Sequence, residues 1–230
     1  MSLILQIETA TTVCSIALAE NGHTIALKEV NERNVHAEMI TLFIQDVLQQ
    51  AGKELNNIDA IAISKGPGSY TGLRIGVSTA KGLCFALDKP LLAVNTLEAM
   101  ASDAVEFAQQ FDNDALLCPM IDARRMEVYM SLITTAGLII KPTIAEIIDE
   151  NTFADIATDK QIIIFGDGAD KCREVLSERK NIVLLPKFSN SATQLTKLAL
   201  DKFNKSDFED IAYFEPYYLK EFIAGKKVLN

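Results

Sequence analysis

The hydrophobic and polar positions of this chain follow a pattern that occurs twice. Each half begins with three segments of strand character, which are followed by alternating segments of helical and strand character. The first half is predicted to contain strands Leu3–Thr9, Val13–Ala19, Thr24–Val30, Ile58–Ile63 and Leu91–Val94, and helices Val35–Ala51, Thr71–Leu87 and Thr96–Gln110. The second half is predicted to contain strands Leu116–Asp122, Met126–Thr135, Leu138–Ala145, Ile162–Phe165 and Ile182–Leu185, helical segments Ile147–Ala157 and Ala192–Phe203, and a helix that ends at Glu178.

This repeated order, β-β-β-α-β-α in each half, predicts an α/β protein with two similar lobes and a cleft between them. The polar residues 112–114 are the expected boundary, so that the lobes are 1–111 and 112–230. We expect the tail from about residue 205 to pack back on the first lobe. The plan resembles the actin, hexokinase and Hsp70 architecture, a duplicated ribonuclease H-like fold also called ASKHA.

The segment between Ile58–Ile63 and Thr71–Leu87 contains three glycines and a proline. Gly66, Gly68 and Ser69 lie where the free N–H groups of the following helix point, so a nucleotide or other anion site is one interpretation. The other is a tight strand-to-helix turn that needs glycine for its backbone alone. The P-loop and dinucleotide fingerprints do not fit, because Thr71 stands where each requires a glycine.

A carboxylate ends the first strand of each half, Glu8 in one and Asp122 in the other. In a two-lobed fold these acids face the cleft, where they would hold a metal or a nucleotide or act as a base. For a single acid at a strand end, capping of a turn is the more common role. The two histidines lack a second histidine at helical spacing, so they indicate no metal site.

The chain is acidic, with a formal net charge of −9 and a pI near 4.8. This charge argues against an extended nucleic-acid surface, which needs an excess of Lys and Arg. Arg124, Arg125, Lys226 and Lys227 could supply only a local contact. The four cysteines lie far apart, which is typical of reduced thiols in a cytoplasmic protein. The sequence predicts neither a signal peptide nor a membrane span.

Four stretches follow a family pattern in order. They are Ile7-Glu8-Thr9-Ala10, Lys65–Gly82, Ile121-Asp122-Ala123-Arg124 with Glu127-Val128-Tyr129, and Pro216-Tyr217-Tyr218-Leu219-Lys220. Together they resemble the TsaB (YeaZ) family. The resemblance implies an actin-like fold and a cytoplasmic, non-catalytic scaffold or activating subunit of TsaD, assisted by the ATPase TsaE. TsaD transfers a threonylcarbamoyl group to N6 of adenosine 37 in tRNAs that read codons starting with A. An independent ATP-dependent phosphotransferase of the same fold stays as the alternative.

The resemblance also implies that the catalyst is the partner. TsaD carries two metal-binding histidines in an N-H-L-E-G-H segment, where this chain reads Asn95-Thr96-Leu97-Glu98-Ala99-Met100. Thr96 is a poor metal ligand, and the thioether of Met100 does not suit a site built from oxygen and imidazole. We therefore expect no catalytic residues, no metal and no cofactor of its own, with ATP or ADP at most at the subunit boundary.

Helices Val35–Ala51 and Thr71–Leu87 are the predicted partner-binding face, because apolar residues spread round much of the first helix and small residues line the second. The alternative is that the chain's own elements cover the first helix on both sides. The same face would allow a homodimer to compete with the heterodimer, and tRNA would be bound weakly or through the partners. The predicted interface residues are Met39, Leu42, Phe43, Val47, Gly72, Gly76 and Ala80.

Overall fold

The computed structural model describes residues 2–112 and 114–220. Its strands form two five-stranded sheets, and the first has the order β3-β2-β1-β4-β5. Strand β1 lies antiparallel to β2 and parallel to β4. The strands of this sheet are β1 (Leu3–Glu8), β2 (Val13–Glu20), β3 (His23–Asn31), β4 (Ala60–Ser64) and β5 (Leu91–Val94), and the helices that follow them are α1 (His36–Ala51), α2 (Tyr70–Leu87) and α3 (Thr96–Gln109).

The second sheet repeats this arrangement, with the order β10-β9-β6-β7-β8. Its first strand again pairs antiparallel with the second and parallel with the fourth. The strands are β6 (Leu116–Asp122), β7 (Glu127–Thr134), β8 (Ile139–Ile147), β9 (Ile162–Phe165) and β10 (Ile182–Leu184), and the helices are α4 (Ala169–Cys172) and α5 (Thr196–Asn204). The two halves therefore share one topology, as the repeated pattern predicts.

Two helical predictions in the second half are wrong. Strand β8 continues to Ile147, and the residues after it form turns instead of a helix up to Ala157. The side chain of Asp149 accepts hydrogen bonds from the Asn151 N–H and the Thr152 hydroxyl, and such local bonds compete with helix formation. The helix predicted to end at Glu178 is a single turn, Ala169–Cys172, followed by further turns.

Two helices pack on the sheet of the other half of the chain. Helix α3 covers β6 and β7, with Met100 and Ala104 buried against Ile121 and Phe165. Helix α5 and the 3-10 turn before it, Ala192–Leu195, cover the first sheet instead. This exchange ties the two sheets into one packed structure.

The segment after α5 returns to the first sheet and to α2. Glu209 forms a bridge with Leu91 at the edge of β5, and the Lys81 ammonium donates to the carbonyl of Phe214 at 2.9 Å. The Tyr217 N–H donates to the Lys65 carbonyl at 2.7 Å. The rest of the predicted tail, including Lys226 and Lys227, lies outside the described residues. Within the described part of the chain, no helix has the length and apolar character needed to cross a membrane.

Candidate functional site

The glycine turn packs against the connection between β1 and β2. A methyl group on Gly68 would overlap the carbonyl oxygen of Ala10, and one on Gly72 would overlap the carbonyl oxygen of Thr9. At Gly76, one turn further along α2, a methyl group would overlap the Thr9 hydroxyl. These three glycines therefore allow the start of α2 to approach the backbone of the β1–β2 connection closely.

The polar groups of the glycine turn are bonded to the chain itself. The Ser69 N–H donates to the Ala10 carbonyl at 2.6 Å, and the Ser69 hydroxyl accepts from the Gly72 N–H at 3.2 Å. The Gly66 N–H donates to the Thr96 hydroxyl at 3.1 Å. The amides of Gly66, Ser69 and Gly72 are thus already occupied, which agrees with the structural interpretation of this turn.

Glu8 lies at the end of β1 and is 1% exposed. Its carboxylate accepts a hydrogen bond from the Ala10 N–H at 2.6 Å and another from Ser64. Burial raises the pKa of Glu8 to about 7, although these hydrogen bonds oppose the rise. The hydrogen bond from the Ala10 N–H therefore fixes the β1–β2 connection to the side chain of Glu8. Burying this ionisable group costs free energy of folding.

Asp122 occupies the equivalent position in the second half but has a different environment. It is exposed, forms an ion pair with Lys171 and accepts a hydrogen bond from the Arg124 N–H at 2.9 Å. Its own N–H donates to Asp167, and burial raises the pKa of that second acid. Glu8, Gly68 and Ser69 thus meet at the β1–β2 connection, whereas Asp122 belongs to a separate group of charges.

The two positions that correspond to the TsaD histidines are fully buried. The Thr96 hydroxyl lies 2.8 Å from the Ser64 hydroxyl and accepts from Gly66, so it links α3 to the glycine turn. Met100 lies in the apolar core, and its terminal methyl group comes close to Gly166. The side chain of Asn95 caps α3 by accepting from the Leu97 and Glu98 N–H groups.

The structure divides the predicted interface residues into two groups. Leu42 is 51% exposed and Met39 is partly buried. The other five lie in the chain's own core, where they pack α1 and α2 on the first sheet and cannot reach a partner in this conformation. These five are Phe43, Val47, Gly72, Gly76 and Ala80.

One outward-facing residue of α2, Phe85, is absent from the predicted face, whereas Gly82 is one of the small residues predicted to line it. Phe85 is 82% exposed, and a methyl group on Gly82 would meet no heavy atom of the described residues within 4 Å apart from the neighbouring backbone of its own helix. Phe85 follows Arg74 and Ser78 on the exposed strip of α2, and an apolar residue on a polar strip could have been found from the helical spacing. An open groove of about 490 Å³ lies beside Phe85, between the end of α2 and Phe208.

The arrangement of the two sheets also occurs in solved structures. YeaZ from Pseudomonas aeruginosa superimposes with a TM-score of 0.79 at 26% identity, over 95% of this chain and 100% of that one. The activator of the 2-hydroxyisocaproyl-CoA dehydratase from Clostridium difficile has a TM-score of 0.51 at 9% identity over 89% of this chain and 97% of that one, a likeness of fold alone. The predicted duplicated, actin-like two-lobed fold is confirmed.

Sequence comparison identifies the family. A family model described as TsaD, tRNA N6-adenosine threonylcarbamoyltransferase, matches residues 29–214. The tRNA threonylcarbamoyladenosine biosynthesis protein TsaB of Haemophilus influenzae is 39% identical over 128 residues, 56% of this chain, and the match spans about half (52%) of that relative's length. The protein of the same name from Escherichia coli is 30% identical over 240 residues, which cover 98% of this chain and 97% of the relative. The chain therefore belongs to the TsaB (YeaZ) family.

Proposed function

We propose that this chain is a non-catalytic subunit that binds and activates TsaD in the cytoplasm. With TsaE, the pair would transfer a threonylcarbamoyl group to N6 of adenosine 37 in tRNA. Membership of the TsaB family and the match to the TsaD family model support a role in this modification. The scaffold role and the two partners are the further steps that we propose here.

The contacts of Thr96 and Met100 give the strongest support for a non-catalytic role. These residues stand at the positions of the two TsaD histidines. Thr96 forms a buried hydrogen bond with Ser64, and Met100 packs in the apolar core. Neither could turn toward a metal ion without leaving a buried polar group unpaired or opening a cavity. The shared architecture would then serve recognition of the partner instead of catalysis.

The outward faces of α1 and α2 are the proposed binding surface for TsaD. Leu42 and Phe85 present large apolar side chains to solvent, and Met39 adds a partly buried one. Among the described residues, Gly82 has no neighbour that requires its lack of a side chain, so a helix of a partner could approach its backbone closely. Two helices from each subunit would then pack side by side, and a homodimer would use the same surface in competition.

Reconstitution tests the role. The assay contains unmodified tRNA, an activated threonylcarbamoyl donor, ATP, TsaD and TsaE. It should give threonylcarbamoyladenosine at a much higher rate with this chain than without it. The chain alone should give none. Modification by the chain without TsaD, or an equal rate with and without the chain, would contradict the proposal. Magnesium-dependent ATP turnover by the purified chain alone would instead favour the phosphotransferase alternative.

The surface is tested by Leu42→Glu and Phe85→Glu, made separately. Each buries a carboxylate in the proposed interface, so TsaD binding measured by calorimetry should weaken at least about tenfold. Because both side chains are exposed, the thermal midpoint of the isolated chain should change little. The control is Leu138→Glu, which places the same charge at a 64% exposed leucine in the β7–β8 hairpin. Unchanged TsaD affinity in both variants would place the interface elsewhere.

ATP or ADP at the subunit boundary stays part of the proposal. The occupied amides of Ser69 and Gly72 leave those groups unavailable to a phosphate within this chain. Nucleotide binding is therefore expected to require the partner. Titration of ATP into the chain alone and into its complex with TsaD separates the two cases, and binding of equal strength in both would refute this expectation.

A further inference from the structure

The turn between β6 and β7 holds two consecutive arginines in an unfavourable backbone conformation. Arg124 has φ 72° and Arg125 has φ 53°, and both side chains are exposed. Residues with positive φ are most often Gly or Asn, because a larger side chain is strained there. Neither the strands nor the core gains from arginine at these exposed positions. An outside contact would explain why two arginines occupy them.

The charges around the turn leave these arginines available. Asp122, directly before the turn, forms an ion pair with Lys171, and Glu127, directly after it, forms one with Lys220. Within residues 2–112 and 114–220, neither Arg124 nor Arg125 forms an ion pair. Asp122 and Glu127 are thus each matched by a lysine. Asp167, which accepts from the Asp122 N–H, is exposed and forms no ion pair among the described residues, so the two guanidinium groups leave this surface with one excess positive charge.

The neighbourhood of the turn has the same positive character. Burial raises the pKa of the Tyr129 hydroxyl; the charge of Lys220 opposes that rise, the charge of Glu127 adds to it, and the charge of Arg124 opposes it more weakly. The ammonium group of Lys220 lies 5.9 Å from the centre of the Tyr129 ring. Two cations and the carboxylate of Glu127, which is paired with Lys220, therefore lie within electrostatic reach of one partly exposed aromatic ring, in a chain whose overall charge is −9.

We propose that the Arg124–Arg125 turn binds the sugar-phosphate backbone of RNA. Guanidinium groups bind phosphate oxygens through paired hydrogen bonds, and RNA offers such groups at regular spacing. A small nucleotide fits less well, because it needs a concave site. Neither arginine lines the groove beside Phe85 or a second open cavity of about 470 Å³ near Asp114. The inference rests on the proposed function in one respect: the choice of tRNA as the RNA follows from the proposed role in tRNA modification.

The test is the double variant Arg124→Asn with Arg125→Gly. Asn and Gly adopt positive φ with less strain than arginine, so the variant should melt at the same temperature as the wild type or higher. The affinity of unmodified tRNA for the complex with TsaD should fall about tenfold near physiological salt. The slope of log affinity against log salt should become shallower by about 1.5, as expected for the loss of two phosphate contacts.

The control removes two positive charges elsewhere on the surface. Lys180 precedes β10 and Lys197 lies near the start of α5; both are exposed, and neither forms an ion pair among the described residues. Lys180→Gln with Lys197→Gln should leave the salt slope nearly unchanged. If both double variants lose tRNA affinity to the same extent, the loss reflects the net charge of the chain and not a contact of the arginines, and the inference is overturned.

The same titrations are done with the chain alone at about 20 mM salt, where weak phosphate contacts are strengthened. This arm does not depend on TsaD, so it separates failure of this inference from failure of the proposed function. Loss of weak tRNA binding in the arginine variant alone supports the inference even if the chain does not activate TsaD. Wild-type affinity and salt slope in the arginine variant refute it, and so does a loss confined to ATP binding.

Discussion

Gly82→Ala should stabilise the isolated chain while weakening its complex with TsaD. Gly82 lies within α2, it is exposed, and its φ is not positive. Apart from the backbone of its own helix, a methyl group there meets no heavy atom of the described part of the chain within 4 Å, so the folded state gains no steric strain. Alanine restricts the unfolded chain more than glycine does, and it is the better helix former.

The expected gain in the free energy of unfolding is about 1 kcal/mol, the difference between glycine and alanine in the interior of an exposed helix. For a chain of this size, that gain corresponds to a rise in thermal midpoint of about 2–4 °C. Gly52 provides the control, because a methyl group there also meets open space but its φ is 62°. Gly52→Ala should therefore lower the free energy of unfolding by about 1 kcal/mol through backbone strain alone.

Urea unfolding followed by circular dichroism measures both variants, and calorimetry measures their affinity for TsaD. In the complex, the added methyl group of Gly82→Ala would hold a partner helix away from α2, so the affinity should fall although the subunit is more stable. The control Gly52→Ala should bind normally once folded. A Gly82→Ala chain that is destabilised, or one that is stabilised and binds TsaD as the wild type does, would falsify the reasoning about this helix face.

Two further predictions concern the β1–β2 connection. Gly72→Ala should lower the free energy of unfolding by about 1–3 kcal/mol, because the methyl group overlaps the Thr9 carbonyl, and a thermal midpoint equal to that of the wild type would contradict the packing described here. Burial raises the pKa of Glu8 from its ordinary value of 4.5 to about 7 in the folded chain. The folded state therefore holds an extra proton between these two values, and stability falls as the pH rises through that window. The total loss in the free energy of unfolding is about 3 kcal/mol once the pH is above 7, and Glu8→Gln should remove it. If urea unfolding of the variant and the wild type depends on pH in the same way, the raised pKa of the buried Glu8 is contradicted.

The first sheet and its helices could be predicted from the sequence because each element has a simple pattern. The pattern predicts helix α1 as Val35–Ala51, and the observed helix is His36–Ala51, ended by the glycine at position 52 with positive φ. The face that α1 buries could not be predicted, since Leu42 and Phe43 are equally apolar and only the position of the sheet decides which one is covered. Fewer of the predicted interface residues are therefore exposed than the sequence suggests.

At the candidate site, too, the sequence does not reveal which groups are in contact. The glycine pattern predicts a turn, but it does not reveal that the carbonyl of Ala10 occupies the Ser69 N–H, because that contact joins residues 59 positions apart. Glu8 and Asp122 hold equivalent positions in the repeat, and yet one is buried and the other exposed. Their environments depend on the elements packed above each sheet, which the repeat does not specify.

The exchange of helices between the sheets has a consequence for how the chain folds. The inner face of the first sheet, where Ile4 and Ala62 lie, is covered by Leu195 and Ala199 from near the end of the described chain. During synthesis, this face of the first sheet stays exposed to water until the residues of α5 have been made. Contacts between residues so far apart in sequence slow folding and prolong the exposure of apolar surface. The newly made first half should therefore depend on chaperones until α5 has emerged from the ribosome.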